Sequence, residues 1–420
     1  MRNRMRARVF VLIAGLAWIG SAHLLARESK GTAEAKARLA EGESAVKAGK
    51  LADAASAFRK AIDADPDYAG AHQRFIDVSR RLDGPAGLAA ANARLEQQYE
   101  RWARQYPKRA VYQWALGVLT EDAAAGDAHC RKALAIDPTF APAHLLLAQN
   151  ADQRGDFEAQ RDHLKSAADA SPDDPRYLVR YAWALRKSDP DRFRALANDV
   201  IAKFPESPQA AEALYDLAAT SANPERRRYL DRLRAAYPVD RFGYSSQGMY
   251  DLYGELTTPA DALALAQEMA KAFPSNRTWA QRVVIQDAMT RAKTLIADGK
   301  FAEAADAIDK TQRPSGSHAI MWTLLKADAA AGAGRVDQAY AALLDTLTTV
   351  PDERLESALR KNGGALGRPR AEIDADVWRA RDAKAKPAPL FELPSSRGGA
   401  PVKLADYRGR LVLLAFWFPG

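Results

Sequence analysis

Apolar and polar positions change their spacing twice along this chain. The first stretch, MRNRMRARVFVLIAGLAWI, sets four arginines before an unbroken apolar run, Val9 to Ile19. From about Thr32 to Arg360 alanine is abundant, β-branched residues are sparse and apolar positions recur at helical spacing, which predicts helices throughout. After Arg360 the texture breaks. KNGGALGRPR interrupts the helices, AEIDADVWRARDA reads as one more short helix, and KAKPAPL as a linker. The remainder reads as a strand (Leu390 to Leu393), a turn (Ser395 to Gly399), a strand (Pro401 to Leu404), a helical turn (Ala405 to Gly409) and a strong strand (Leu411 to Trp417). LVLLAFW has no polar alternation, so it calls for cover on both faces.

Proline spacing turns the helical stretch into a repeat. DADPDYAGAH, AIDPTFAPAH and DASPDDPRYL are alike, and Pro138, Pro172, Pro205 and Pro238 stand 34, 33 and 33 residues apart. Pro66, Pro107, Pro274 and Pro351 are placed to close further units. Gly42, Ala54, Phe58 and Ala61 precede Pro66 at the same offsets at which Ala148, Gln160, Leu164 and Ala167 precede Pro172; Ala339, Leu343 and Thr346 precede Pro351 in the same way. Small residues let two helices approach closely, the large one fills the space between them, and proline ends the second helix. Gly49, Gly155, Gly299 and Gly334, each followed by a charged and then an apolar residue, mark the turn inside a unit.

This pattern resembles the tetratricopeptide repeat, a pair of antiparallel helices of about 34 residues. The resemblance implies roughly eight helical pairs between Thr32 and Arg360, the units near Pro107, Pro238 and Pro274 being degenerate. Another type of α-solenoid is the alternative. Either array implies a groove for a protein or peptide ligand. Trp102, Trp114, Trp183, Trp279 and Trp322 either line that groove or pack between helices, and packing is the commoner use.

The tail resembles the opening of the redoxin group of thioredoxin-like proteins, which includes peroxidase-type members and exported thiol–disulfide oxidoreductases. Ala388, Pro389, Phe391, Leu393 and Pro394 match its first motif, Leu404, Tyr407 and Gly409 its second, and Phe416 and Trp417 the end of its apolar strand. The match covers residues 388–420. It implies a Cys-x-x-Cys next, at a helix N-terminus that stabilises a thiolate, hence a redox client as a partner. That motif falls beyond Gly420, so no catalytic residue is assigned, and the expected domain is incomplete. A hairpin and one strand bury too little to stand alone, which makes a truncated or fragmentary chain the expectation.

The fold class expected is therefore mainly α, a tetratricopeptide-like α-solenoid followed by an incomplete thioredoxin-like α/β domain. The parts are a signal peptide or signal anchor at 1–26, helical repeats at 32–360, a linker with a short helix at 361–387 and the redoxin-like piece at 388–420.

Charge and candidate chemistry refine this little. The 420 residues are 47% hydrophobic and 27% charged, enough for two or three folded domains. Four of the eight net positive charges come from Arg2, Arg4, Arg6 and Arg8. The rest is too dilute for a nucleic-acid footprint, and Arg226-Arg227-Arg228 reads as a solvated helix face. The basic leader, its apolar run and the small residues Gly20, Ser21 and Ala22 predict export, with cleavage after Ala22 or Ala26, or anchoring and membrane contact through 9–26. The protein is then periplasmic or held at the membrane facing the periplasm.

Cys130, the one cysteine, excludes an internal disulfide and reads as a buried, inert thiol. His23, His72, His129, His144, His163 and His318 have no metal-ligand spacing and read as surface or packing residues. NGGALG, residues 362–367, lacks the Lys-Ser/Thr end of a phosphate loop. No cofactor is expected. Two functions remain: an exported thiol–disulfide oxidoreductase or peroxidase-like protein whose repeats recruit a client, or a non-enzymatic scaffold that binds peptides or proteins at the membrane or in the periplasm.

Overall fold

The computed structural model describes residues 29–82, 84–394, 400–410 and 412–415. It divides into two compact units, residues 1–177 and 178–420. In the first unit α1 (Ala33–Lys47) packs on α2 (Leu51–Ala64), α3 (Ala69–Leu82) on α4 (Gly84–Gln105), α5 (Ala110–Leu119) on α6 (Ala123–Ile136), and α7 (Ala141–Gln153) on α8 (Phe157–Ala170). Helix α9 (Pro175–Leu185) begins in this unit and continues into the second. There follow α10 (Pro190–Lys203), α11 (Pro208–Thr220), α12 (Glu225–Ala236), α13 (Gly243–Glu255), α14 (Pro259–Ala272), α15 (Arg277–Ala297), α16 (Phe301–Asp309), α17 (Ser317–Gly332), α18 (Val336–Leu347), α19 (Glu353–Ala365) and α20 (Arg370–Lys384).

The prolines act as the spacing predicts. Pro66, Pro107, Pro138, Pro172, Pro205, Pro238 and Pro274 each stand two residues beyond the end of an even-numbered helix, and Pro351 follows α18. A proline there cannot continue the helical hydrogen bonding. Pro175, Pro190, Pro208 and Pro259 open α9, α10, α11 and α14, where the missing N–H costs nothing. Four of the turns between paired helices use a left-handed residue, and Gly49, Gly155, Gly299 and Gly334 supply φ of 74°, 73°, 71° and 79°.

The small-residue positions are close approaches. A Cβ on Gly42 would lie 2.3 Å from Cε1 of Phe58. Phe58, Ala54 and Ala61 are fully buried, as are Ala167, Ala339 and Leu343 in the later units. Each unit is thus a tetratricopeptide-like α-solenoid. The described helices up to α18 make nine successive pairs, one more than the eight expected, because the pair α15–α16 carries neither the regular proline spacing nor the full small-residue set.

The break expected at KNGGALG begins later than the glycines suggest. Helix α19 runs through Gly363 and Gly364, and the left-handed residue is Gly367 at φ 72°. Gly363 is held in the helix by tertiary packing: a Cβ there would lie 2.5 Å from Cδ1 of Ile373 and 3.0 Å from Cε2 of Tyr340. The AEIDADVWRARDA segment is α20. It docks on α18 through Tyr340, whose hydroxyl donates to Asp376 Oδ2 at 2.7 Å, and through Lys384 Nζ, 2.6 Å from Asp345 Oδ1.

The tail forms a two-stranded antiparallel sheet, β1 (Glu392–Leu393) and β2 (Val402–Lys403), in the register Glu392 to Lys403 and Leu393 to Val402, followed by a 3-10 turn at Leu404–Tyr407. Strand, strand and helical turn come in the predicted order. The third strand does not. Of Leu411 to Trp417, residues 412–415 are described and form no strand, and Leu413 is 93% exposed. A continuous apolar strand is stable only between covering layers, and these residues have none. The described tail is an unclosed hairpin, and the expected α/β domain is corrected to that. Leu411, Phe416 and Trp417 lie outside the described residues, as does the turn at 395–399.

Among the described residues no helix is long and apolar enough to cross a membrane. The expectation of an exported protein held at a membrane, with its membrane contact, is corrected on that finding. The leader-like segment at 1–26 on which it rested lies outside the described residues.

Candidate functional site

Of the groups singled out in the sequence, Cys130, His72 and His318 are buried, His129, His144 and His163 are half-buried, and His23 lies outside the described residues. Cys130 of α6 is fully buried against Gly117 of α5, where an added Cβ would lie 3.2 Å from its Sγ and 3.0 Å from the Gly126 carbonyl. Burial, then the carboxylate of Asp127, push its thiol up to about 12. Both its burial and its raised pKa disfavour the thiolate at neutral pH.

His72 is buried in an aromatic cluster with Tyr99, Trp102 and Tyr112. One ring nitrogen lies 2.9 Å from the Pro66 carbonyl and the other 2.9 Å from the Tyr99 hydroxyl. The carbonyl can only accept, so Nε2 carries the proton and Nδ1 accepts from Tyr99. His318 is fixed likewise. Its Nε2 donates to the Tyr253 carbonyl at 2.8 Å, and Nδ1 accepts from Gln286 Nε2 at 3.1 Å. His144 and His163 meet through their Nδ1 atoms at 3.2 Å. Among the described residues no group of three or more His, Cys, Asp or Glu could hold a metal ion. Of the tryptophans, Trp279, Trp114 and Trp322 are buried between helices, while Trp102 and Trp183 are half-buried.

Two cavities are lined by odd-numbered helices, the first members of the pairs. In the first unit a cavity of about 420 Å³ runs across α3, α5, α7 and the start of α9. Trp114 and Val118 project from one turn to the next on α5; Pro142, Leu145, Leu146 and Gln149 do so on α7. Gly70 leaves room on α3, and Gln73 and Gln149 add amides. Its one cation, Arg176, is bound to Asp174, with Nη2 2.5 Å from Oδ2. The surface is apolar rungs with amide edges, and its charge is balanced.

In the second unit a cavity of about 640 Å³ lies between α13, α15, the loop at 312–316 and the start of α17. Its wall is Tyr250 and Tyr253 of α13 with Arg277 and Arg282 of α15. The Arg282 guanidinium sits 4.2 Å from the ring centres of Tyr253 and Trp279 and 5.0 Å from that of Tyr250. Burial pulls its pKa below the ordinary arginine value, and Tyr253 and Tyr250 oppose this. The sequence reading missed this cluster. The spacing of Tyr250 with Tyr253 and of Trp279 with Arg282, three residues each, is the signal that puts each pair on one helix face.

No known protein-family profile matches the chain, and no curated protein matches it. Solved structures do match. A thermophilic tetratricopeptide-repeat protein of Thermus thermophilus is 16% identical, with a TM-score of 0.32, and the match covers 44% of this chain and 98% of that one. A tetratricopeptide-repeat protein from Parabacteroides merdae is 12% identical, with a TM-score of 0.30, covering 70% and 98%. The class assigned here, a tetratricopeptide-like α-solenoid, rests on the helix pairs, prolines and turn glycines described above.

Proposed function

We propose that this chain is a protein-binding scaffold that takes an extended segment of a partner along the faces of the odd-numbered helices of its first unit. The observation that carries the reading is the first-unit cavity. Helices α5 and α7 present apolar side chains one helical turn apart, flanked by Ala69 and Gln73 of α3 and Tyr177 of α9, with the amides of Gln73 and Gln149 beside them. An extended peptide offers alternating side chains for apolar pockets and a backbone for amides. The test uses the full chain against an array of extended eight-residue peptides. Saturable binding by an apolar subset, lost in Leu146→Glu, is expected. Binding that Leu146→Glu leaves unchanged refutes the reading, as does no saturable binding to any peptide.

A second reading has one observation behind it. The β1–β2 hairpin and the 3-10 turn follow the order expected of the opening of a redoxin domain. In this reading the tail leads into a thiol–disulfide active site, and the scaffold brings a client to it. The family's cysteine pair is not among the residues of this chain, whose single thiol is Cys130. This chain is therefore expected to show no insulin reduction. Turnover that survives Cys130→Ala contradicts that expectation. Reading the codons after Gly420 tests the domain itself: Cys-x-x-Cys within the first few supports it, and a stop codon removes it.

A further inference from the structure

We propose that the cavity of the second unit is a carboxylate subsite, with Arg282 as its anchor, that receives an Asp or Glu side chain of a partner protein's extended segment. This rests on the scaffold reading and adds a charge preference to it.

Arg282 is a half-buried cation with no carboxylate partner among the described residues. Its Nη1 is inaccessible to solvent and makes no hydrogen bond. Among the described residues no carboxylate pairs with it or with Arg277, five positions earlier on the same wall. The acids of α13 are engaged elsewhere: Asp251 and Glu255 both face Arg226, at 3.3 and 3.1 Å. The aromatic rings around Arg282 offset part of its desolvation. They do not accept its N–H groups in the plane of the guanidinium, and that fork matches a carboxylate.

The surroundings favour the same ligand. Tyr253 OH accepts from Gln286 Nε2 at 2.7 Å, and Tyr250 OH accepts from Asn276 Nδ2 at 3.0 Å. Each hydroxyl therefore keeps its own hydrogen to donate. Helix α15 begins at this wall, so its positive end adds to the two arginines. Gln281, Gln312 and Ser315 offer groups for a peptide backbone. The first-unit cavity differs in the feature that matters: its arginine is already neutralised by Asp174.

The test titrates the full chain with a capped hexapeptide, acetyl-Gly-Glu-Ala-Glu-Ala-Gly-amide, with its Glu-to-Gln twin, and with inorganic phosphate. The Arg282 Nε–H resonance is the readout. The acidic peptide should shift it saturably and bind about tenfold or more tightly than the twin, with the preference shrinking as salt rises. Arg282→Gln should remove the preference. Arg277→Gln, at the exposed rim, should weaken it about threefold with unchanged thermal melting, so the proposal stays testable if Arg282→Gln does not fold. Equal binding of the two peptides overturns the proposal, as does a preference unchanged in both variants, or phosphate that displaces the peptide at an equal concentration. Loss of acid preference while the array peptides still bind through Leu146 overturns this inference alone; loss of both overturns the scaffold reading.

Discussion

Acid should loosen the first unit through one residue, His72. It is completely buried, and burial first, then the nearby Arg59, hold its pKa down to about 4 from the ordinary 6.5, although the Pro66 carbonyl works the other way. The geometry explains why a second proton is refused. Nε2–H already donates to Pro66, and Nδ1 accepts from the Tyr99 hydroxyl. Protonation of Nδ1 would force the Tyr99 hydroxyl to turn from donor to acceptor and leave a charge inside a buried aromatic cluster, away from water.

The unfolded chain takes up that proton below about 6.5, and the folded chain only near 4. Stability present above about 6.5 is therefore lost as pH falls towards 4, with no further loss below. The gap in proton affinity corresponds to about 3 kcal/mol, on the order of a quarter to a half of the stability of an ordinary domain. His129, His144, His163 and His318 are lowered by burial and act in the same direction. They are subtracted by comparison with His72→Gln. The assay is urea unfolding of wild type and His72→Gln from pH 7.5 to 4, with an NMR titration of the imidazole. The wild type should lose about 3 kcal/mol more than the variant over that range. The same pH dependence in both proteins would refute the reasoning, as would an imidazole that titrates near 6.5 in the folded state.

Other outcomes follow from packing. Gly42→Ala sets a methyl 2.3 Å from the buried Phe58 ring and should destabilise by about 1–3 kcal/mol, read as a lowered melting temperature; an unchanged value means that α1 and α2 are not held that closely. Gly299→Ala forces a left-handed φ of 71° on a residue with a Cβ, with open space around it, and should cost about 1–2 kcal/mol from backbone strain alone. Cys130 should resist iodoacetamide at neutral pH in the folded chain and react in urea; fast labelling of the native protein contradicts its burial.

Much of this protein is written locally. A proline ends a helix wherever it stands, and a glycine accepts a left-handed φ without help from neighbours. Hence Pro66 to Pro351 and Gly49 to Gly334 marked helix ends and turns correctly from the sequence. Gly42 and Phe58 are only 16 positions apart in one unit, so repetition exposed that contact too. Local rules failed where neighbours decide. Gly363 and Gly364 read as a break, yet Ile373 and Tyr340 hold Gly363 inside α19. LVLLAFW reads as a strand, yet its described residues have nothing to pair with or lie beneath.

The site was the least legible part. Arg282 and Arg277 look like ordinary surface charges of a helix, and Tyr250, Tyr253 and His318 like scattered core residues. The sequence determined which residues share a helix face, because helical periodicity needs no partner. Only the tertiary structure brought α13, α15 and α17 together, joining Tyr253 to Gln286 and His318 across 33 and 65 positions. It alone decided that Arg282 would lie among aromatic rings with no carboxylate partner among the described residues, because charge pairing depends on which helices become neighbours.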